Sequence, residues 1–329
     1  MSEKAIGIIT LANDEIGVGH LSRSIAIAQE LLELKVDTTL ILNLSSHLRN
    51  FEIPQNLKLL EVEKNDWNQS FFEFLISSFS FLFFDLLLED LNLFSVLNSK
   101  IKSASIMSYP FHEKECWTDI IFYPSIKEVD GHKTYSGPRY ISFRNGFKKL
   151  NHTYNKFGNI LVTMGGSDSF QLTLPVVEAL VTIKSDFKYC VIIAESCKDY
   201  KSILEKAKQN KNITIINYSK NIQKLLRESS LVIINGGITR YEATLMGAPF
   251  VAISIHQTQF NITKHLSDIT GSLNLGIKAN LNRDLIADGI LRLMNDERKR
   301  IEISKISRKL LDNKGSKRIA QIIHANLLN

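Results

Sequence analysis

The segment LVIINGGITRYEATLMGAPFVAISIHQTQ, residues 231–259, decides the fold of this chain. Residues 231–234 are an uninterrupted aliphatic run, which predicts a strand that is buried on both faces. The Asn-Gly-Gly at 235–237 ends that run, and helical spacing follows until Gly247 stops it. The segment therefore predicts a strand, a glycine turn, a helix and a further strand, which is the repeating unit of a doubly wound sheet.

A helix that begins directly after two glycines predicts a site for a phosphate. The N–H groups of a first helical turn have no partner inside the helix, and glycine lets a ligand approach the backbone. Glu242 follows Gly237 by five residues, so we expect its carboxylate about one turn into the helix, where it can accept hydrogen bonds from ribose hydroxyls. The alternative is an ordinary strand-to-helix turn with Glu242 as a solvated acid.

Two further glycine turns have the same context. GVGH, residues 17–20, lies between an apolar strand candidate and a helical pattern, and so does GGSD, residues 165–168. Strand and helix patterns alternate along the rest of the chain, which predicts parallel sheets with right-handed crossovers. Because ligands bind at the carboxyl ends of the strands in such sheets, we expect all three turns to line one cleft.

The length of the chain predicts two domains, since 329 residues exceed the usual size of one core. Between residues 130 and 157 the apolar periodicity weakens and glycines accumulate, which indicates a connection between domains. We therefore expect an α/β protein of two doubly wound Rossmann-like domains, at 1–150 and 151–329.

The net charge of +6 does not indicate a nucleic-acid partner. Residues 281–329 hold eleven Lys/Arg against six Asp/Glu, so +5 of the total lies at one end. There the bases alternate with aliphatic residues on helical patterns such as RKRIEISKISRKLL, with the aliphatic residues expected inside and the bases outside. No nucleic-acid-reading motif accompanies these bases.

Several features predict a cytoplasmic protein without metal or cofactor. The three cysteines are odd in number and widely spaced, and the first residues do not form a signal peptide. Residues 71–97 are the most apolar stretch, but acids interrupt it before the roughly 20 residues that a membrane span needs. We expect this stretch in the core, with peripheral membrane contact as the alternative. No cluster of metal-ligand residues is evident.

His20 is a candidate general base because it follows the glycines of the GVGH turn at the start of a helix. A helix N-terminus disfavours the imidazolium, and a neutral ring can accept a proton. The alternative is a histidine that only caps the helix.

Four segments together resemble, over nearly the whole chain, the PseG-like UDP-sugar hydrolases of the GT-B superfamily: GVGHLSRSIAIAQELL, YSGPRYISFRNGF, ILVTMGGSDSFQLT and INGGITRYEATLMGAPFVAI. The C-terminal half also resembles the MurG-like glycosyltransferases. The resemblance implies the GT-B fold, in which two Rossmann-like domains face a cleft, with the nucleotide sugar bound by the C-terminal domain. It also implies inverting attack on the anomeric carbon of a UDP-sugar, without a cofactor or a metal.

The resemblance assigns roles to individual residues. His20 is implied to be the catalytic base. The residues implied to bind the nucleotide and its diphosphate are Gly19, Gly165, Gly166, Ser167, Gly236, Gly237 and Glu242. The sugar-side candidates are Asp85, Tyr140, Thr258 and Gln259. The chain departs from the PseG pattern at sugar-side positions, for example at Thr258, where an Asn is usual, so the sugar is left open.

Three functions follow from this reading. The first is a hydrolase of a UDP-linked amino or deoxy sugar in surface-glycan synthesis. The second is a glycosyltransferase that passes the sugar to a saccharide or lipid acceptor. The third is a non-catalytic nucleotide-sugar-binding protein, against which the presence of His20 argues. The sequence leaves the acceptor and the oligomeric state open.

Overall fold

The chain divides into two compact units, of which unit 1 comprises Met1–Lys148 with Asn313–Asn329 and unit 2 comprises Lys149–Asp312. The computed structural model describes residues 5–13, 18–44, 53–147, 154–165, 168–217, 219 and 221–328.

Unit 1 contains a seven-stranded parallel sheet in the order β3-β2-β1-β4-β5-β6-β7. Its strands are β1 (Ala5–Ala12), β2 (Asp37–Leu44), β3 (Lys58–Glu61), β4 (Phe81–Asp85), β5 (Lys102–Ile106), β6 (Ile120–Tyr123) and β7 (Thr134–Ser136). The first helices of the chain are α1 (Gly19–Glu33), α2 (Gln69–Ser78) and α3 (Leu88–Leu93). The central strand β4 reads FLFFD and is buried at every position, as expected for a strand with helices on both faces.

The strand order of unit 1 reverses between β1 and β4. The chain leaves β1 toward β2 and β3, then returns to the other side of β1 with β4. Such a switch point opens a crevice at the carboxyl ends of the two strands. Asp85, the last residue of β4, pairs in register with Thr10 of β1 at this edge. The N-terminus of α1 follows β1 and therefore lies at the same edge.

Unit 2 contains a six-stranded parallel sheet in the order β10-β9-β8-β11-β12-β13. Its strands are β8 (Ile160–Thr163), β9 (Tyr189–Ile192), β10 (Ile213–Ile216), β11 (Leu231–Asn235), β12 (Phe250–Ser254) and β13 (Leu273–Ile277). Its helices are α4 (Thr173–Thr182), α5 (Tyr200–Ala207), α6 (Ile222–Glu228), α7 (Thr239–Leu245), α8 (Gln257–Thr270), α9 (Arg283–Met294) and α10 (Glu297–Leu310). The strand order reverses between β8 and β11, so this unit has a switch point of its own.

The predicted fold class is confirmed, because both sheets are parallel and doubly wound. The interpretation of residues 130–157 as a connection is wrong in part, since β7 lies within it and pairs with β6 as an edge strand of the first sheet. A strand of three residues, Thr-Tyr-Ser, is too short and too polar to produce a periodic apolar pattern.

The C-terminal helix α11 (Gly315–Leu328) corrects the predicted second domain, 151–329. Residues 313–329 belong to unit 1, where α11 packs against α1. Its buried stripe of Ile319, Ala320, Ile323 and Leu327 joins the same core as Leu21 of α1. The periodicity of a helix predicts which of its faces is apolar, but it does not indicate which partner covers that face.

Helix α10 departs from the predicted pattern at one base. Ile303 faces the core, as expected, but Arg300 is only 2% exposed. The Nη1 atom of Arg300 donates to the carbonyl of Leu293 at 2.7 Å and also to that of Met294, so this guanidinium caps the end of α9. The expectation that the bases of this segment face solvent is wrong for Arg300.

The apolar segment 71–97 divides between core and surface. All of β4 is buried, whereas Phe74, Leu93 and Val96 keep 42%, 49% and 45% of their surface exposed. Over the described ranges, no helix combines the length and the apolar character that crossing a membrane requires.

Candidate functional site

The switch point of unit 1 brings His20 and Asp85 together. His20 is the second residue of α1, and Asp85 ends β4 at the carboxyl edge of the sheet. The Nδ1 atom of His20 lies 2.6 Å from Oδ1 of Asp85, and the Asp85 side chain is completely buried. The His20 side chain keeps 11% of its surface exposed. The contact fixes the orientation of the imidazole ring through Nδ1 and leaves Nε2 available to a ligand.

The Asp85 carboxylate has three side-chain partners, all on α1. Besides His20, Arg23 donates from Nε to Oδ2 at 2.9 Å and from Nη2 to Oδ1. Ser24 donates from Oγ to Oδ2 at 3.0 Å. Burial raises the pKa of Asp85, but the charges and hydrogen bonds of Arg23 and His20 outweigh burial and hold this pKa well below its usual range.

The ionisation of Asp85 determines the tautomer of His20. An ionised carboxylate has no proton to donate, so the proton of the hydrogen bond must come from Nδ1 of His20. In the neutral ring the lone pair then lies on Nε2. This is the arrangement that a general base requires, with an acid holding one nitrogen and the other nitrogen open to a substrate.

The structure corrects the placement of two sugar-side candidates. Asp85 has no exposed surface with which to contact a sugar, because its oxygens are used by α1. Tyr140 is 7% exposed and lies in the core of unit 1, with its ring 5.9 Å from that of Phe122 and 6.0 Å from that of Tyr135. Asp85 holds the ring of His20, and Tyr140 contributes packing.

The switch point of unit 2 joins two glycine turns through Asn235. The Nδ2 atom of Asn235, at the end of β11, donates to the carbonyl of Met164 at 2.7 Å, just after β8. Its Oδ1 accepts from the N–H of Gly237 at 3.0 Å. Gly165 follows Met164 with φ +95°, a conformation that favours glycine. One amide side chain thus holds both turns in a fixed relation.

The two N–H groups of the diglycine already have acceptors in this structure. The N–H of Gly236 donates to the carbonyl of Ile253 at 3.1 Å, and that of Gly237 donates to Asn235. Within the described part of the chain, the next two N–H groups, of Ile238 and Thr239, have no acceptor. The donors available to an anion therefore lie at the start of α7.

Gly236 is required by packing. A Cβ atom there would lie 2.7 Å from Cγ of Gln259, and 2.8 Å from Oγ1 of Thr263 on the same helix. A Cβ at Gly19, by contrast, would meet no described atom within 4 Å. The backbone at Gly19 is thus open to a ligand, whereas the backbone at Gly236 is covered by α8.

Gln259 shapes the turn after β12. Its Oε1 accepts from the N–H of Ile255 at 2.8 Å, and its own N–H donates to Nδ1 of His256 at 3.2 Å. Gln259 is 5% exposed, whereas Thr258 is half-buried in the same first turn of α8. Of these two sugar-side candidates, Thr258 is therefore the more accessible.

Glu242 lies in the first turn of α7, as predicted, and is only 3% exposed. The Asp168 of GGSD caps α4, since its carboxylate accepts from the N–H groups of Leu172 at 2.8 Å and Thr173 at 2.9 Å. Burial raises the pKa of Asp168. Gly166 and Ser167 lie outside the described residues.

Sequence reasoning assigned no role to Arg23, Asn235 or His256. Arg23 is three residues after His20, which places both on one face of α1. This spacing could have identified Arg23 from the sequence as a neighbour of His20. His256 caps α8 at the carboxyl end of β12, and partial burial of its ring lowers its pKa. No pattern distinguishes Asn235 from other turn residues. Among the described residues, no three His, Cys, Asp or Glu side chains are grouped closely enough to hold a metal ion.

Residues 159–322 match the glycosyltransferase family 28 C-terminal domain. The match covers most of unit 2 and the first half of α11. The C-terminal half of this chain is therefore similar to the C-terminal domain of family 28 glycosyltransferases.

Curated relatives with detectable sequence similarity come from archaea and bacteria. An uncharacterised protein of Methanocaldococcus jannaschii is 24% identical over 278 residues, which is 77% of this chain and 56% of that protein. The spore coat polysaccharide biosynthesis protein SpsG of Bacillus subtilis is 24% identical over 58% of each chain. This chain thus spans somewhat more than half the length of these two relatives.

Solved structures with a similar fold share little sequence identity with this chain. Acinetobacter baumannii MurG has a TM-score of 0.72 at 13% identity, with 98% of this chain and 99% of that chain covered. A protein of O. sativa in complex with UDP has a TM-score of 0.70 at 11% identity, with 98% and 100% covered. The two Rossmann-like units are therefore those of the GT-B fold.

Proposed function

We propose that this chain, with its glycosyltransferase family 28 C-terminal domain, is a nucleotide-sugar-processing enzyme of surface-glycan synthesis. It breaks the bond between the anomeric carbon of a sugar and UDP, with inversion at that carbon. The observation that carries the proposal is the 2.6 Å contact between Nδ1 of His20 and the buried carboxylate of Asp85. A histidine that only capped its helix would not need a buried, ionised carboxylate behind it.

His20 acts as the general base in this proposal. As the oxygen of an attacking hydroxyl bonds to the anomeric carbon, its proton passes to Nε2 of His20. The bond from carbon to the β-phosphate oxygen breaks on the opposite face, and UDP leaves with the electron pair. Asp85 stabilises the imidazolium that forms and keeps the ring in place.

Unit 2 binds the nucleotide in this proposal. The turns at Gly165–Ser167 and at Gly236–Gly237 approach the diphosphate, and the N–H groups of Ile238 and Thr239 are the available donors. Glu242 pairs with the ribose hydroxyls. The family 28 match supports a nucleotide-sugar site in this unit, and the similar O. sativa structure was determined with UDP. Gly19, where an added Cβ would meet no described atom within 4 Å, is also proposed to contact the ligand.

Two acceptors compete for the role of nucleophile. Water as the acceptor makes the protein a PseG-like hydrolase of a UDP-linked amino or deoxy sugar, which the four motifs with their PseG-like order support. A saccharide or lipid hydroxyl makes it a glycosyltransferase, which the family 28 match and the similarity to an N-acetylglucosamine transferase of Acetivibrio thermocellus support. For a lipid acceptor, the exposed Phe74, Leu93 and Val96 offer peripheral membrane contact.

The deciding experiment measures UDP release from a panel of UDP-sugars, first without an acceptor and then with added saccharides or lipid-linked saccharides. Rapid release without an acceptor identifies the hydrolase. Release only in the presence of one acceptor identifies the transferase. UDP binding by calorimetry without release under any condition contradicts the catalytic proposal and leaves a binding protein.

A further inference from the structure

The segment GVGHLSR, residues 17–23, ends in a charged side chain, Arg23, to which the proposed chemistry gives no role. It is 7% exposed, and it contacts Asp85 through two nitrogens, one on each carboxylate oxygen. Its Nη2 also donates to Oγ of Ser108 at 3.0 Å, in the segment after β5. This two-point contact fixes the plane of the carboxylate, because a guanidinium and a carboxylate match only when they are coplanar.

The Asp85 carboxylate is shared between the guanidinium of Arg23, which is always charged, and the imidazole of His20. The Nη2 atom of Arg23 and the Nδ1 atom of His20 contact the same oxygen, Oδ1, while Ser24 and Nε of Arg23 hold Oδ2. A completely buried carboxylate without a charged partner takes up a proton, since burial disfavours its ionised form. A neutral His20 cannot supply the missing charge, so Arg23 must supply it whenever the ring is ready to act as a base.

We propose that Arg23 is the positioning residue of this site, which holds the Asp85 carboxylate ionised and in the one orientation that keeps the proton of His20 on Nδ1. Arg23 touches neither the substrate nor the reacting atoms, and it acts through Asp85 alone. The inference rests on the proposed role of His20 as base. If Arg23 were absent, Asp85 would take up a proton and could donate it to Nδ1, which would move the ring proton to Nε2 and block the base.

The charged groups that act on Asp85 are few. In the part of unit 1 that the structure describes, they are Arg23 and His20, both from α1. The neighbouring strand β1 presents Thr10 beside Asp85, and the segment after β5 presents Ser108. Neither hydroxyl titrates near neutral pH. A change in the proton affinity of Asp85 in a variant therefore reports on Arg23.

The test compares Arg23→Gln, Arg23→Lys and the control Arg283→Gln with the full-length wild-type chain. Arg283 is matched because it also contacts an aspartate, but its side chain is 55% exposed on α9 of unit 2. Carboxyl ¹³C NMR follows the protonation of Asp85, with its signal assigned by its loss in Asp85→Asn. Ring ¹⁵N NMR shows which nitrogen of His20 carries the proton. Both readouts use the free protein and need no substrate.

For Arg23→Gln we expect Asp85 to take up its proton about 3 to 5 pH units higher than in the wild type, toward the range in which the His20 ring is neutral, because a completely buried carboxyl without its charged partner is subject to the full effect of burial. The proton of the His20 ring should shift in part from Nδ1 to Nε2, and UDP release should fall most at acid pH. Arg23→Lys should restore most of the Asp85 ionisation but not the full rate, because lysine keeps the charge and loses the two-point contact. Arg283→Gln should match the wild type.

An unchanged Asp85 titration and an unchanged His20 tautomer in Arg23→Gln would overturn the inference, and so would an Arg23→Lys variant no better than Arg23→Gln. If Arg23→Gln does not fold, Arg23→Lys alone tests the inference. The inference then requires that this variant keep the His20 proton on Nδ1 while its rate of UDP release falls. Failure of the wild type to process any UDP-sugar would overturn the proposed function instead, and the two NMR measurements would still decide the role of Arg23.

Discussion

The two units place a glycine turn at the same topological position and then use it differently. In unit 1 the switch point between β1 and β4 holds a buried charged network of His20, Arg23 and Asp85. In unit 2 the switch point between β8 and β11 is joined by the neutral side chain of Asn235, and the N–H groups of Ile238 and Thr239 beside it have no acceptor among the described residues. In the proposed function, the same supersecondary unit therefore serves proton transfer where charged side chains line it, and anion binding where backbone donors line it.

The largest expected effect is that of His20→Ala, which tests whether proton transfer and nucleotide binding are separate tasks. His20→Ala should lower the rate of UDP release by about two to four powers of ten, as for the loss of a general base, while the affinity for UDP stays near that of the wild type. Rates come from UDP release and affinities from calorimetry. A parallel loss of UDP affinity would mean that His20 binds the nucleotide, and the division of tasks between the units would fail.

Asp85→Asn tests the charged network through stability. The variant leaves the Arg23 guanidinium buried without a carboxylate, which should cost about 3 to 5 kcal/mol at pH 7. Urea unfolding measures this cost. The exposed Asp284→Asn, in which the side chain is 74% exposed, is the control and should change stability by less than about 0.5 kcal/mol.

We also expect the stability of the wild type and that of Asp85→Asn to depend differently on pH. The pKa of folded Asp85 lies below the ordinary value of 3.8, so its contribution is complete above about pH 4 to 5 and is lost as the pH falls toward the folded pKa. Wild-type stability should therefore decrease from pH 5 downward more steeply than that of Asp85→Asn. Parallel curves between pH 5 and pH 2 would show that Asp85 is not held ionised.

The two glycine turns can be compared by one substitution in each. Gly236→Ala should destabilise unit 2 by about 1 to 3 kcal/mol, because the new methyl group would overlap Gln259 and Thr263. Gly19→Ala should change stability by less than about 0.5 kcal/mol, since no described atom lies within 4 Å of the added Cβ. Urea unfolding of both variants measures the difference. Equal losses of stability in the two variants would contradict the conclusion that Gly236 is required by packing and that Gly19 is not.

The smallest expected effect concerns Asn235, the uncharged side chain that joins the two glycine turns of unit 2. Asn235→Ala removes the hydrogen bonds to Met164 and Gly237 and should cost about 1 to 2 kcal/mol in the free energy of unfolding. Asn280→Ala, at an exposed position, is the matched control and should be neutral. If UDP affinity falls by the same factor in both variants, Asn235 does not organise the turn.

Much of the fold was predictable from local pattern. The central strand β11 of the second sheet was recognised because burial on both faces requires an uninterrupted aliphatic or aromatic run. The edge strand β7 was missed because an edge strand has no such requirement. Arg300 was misplaced because a buried cap on a neighbouring helix leaves no trace in the periodicity of its own helix.

The sequence by itself determined two doubly wound α/β domains, the glycine turns at their strand ends and His20 as the candidate base, since each depends on residues adjacent in the chain. Only the tertiary structure decided that Asp85 stands behind His20, 65 residues away, that Asn235 ties β11 to the turn after β8, and that α11 completes unit 1. These contacts join residues far apart in the chain, and a side chain's chemistry does not specify which distant partner the fold will bring to it.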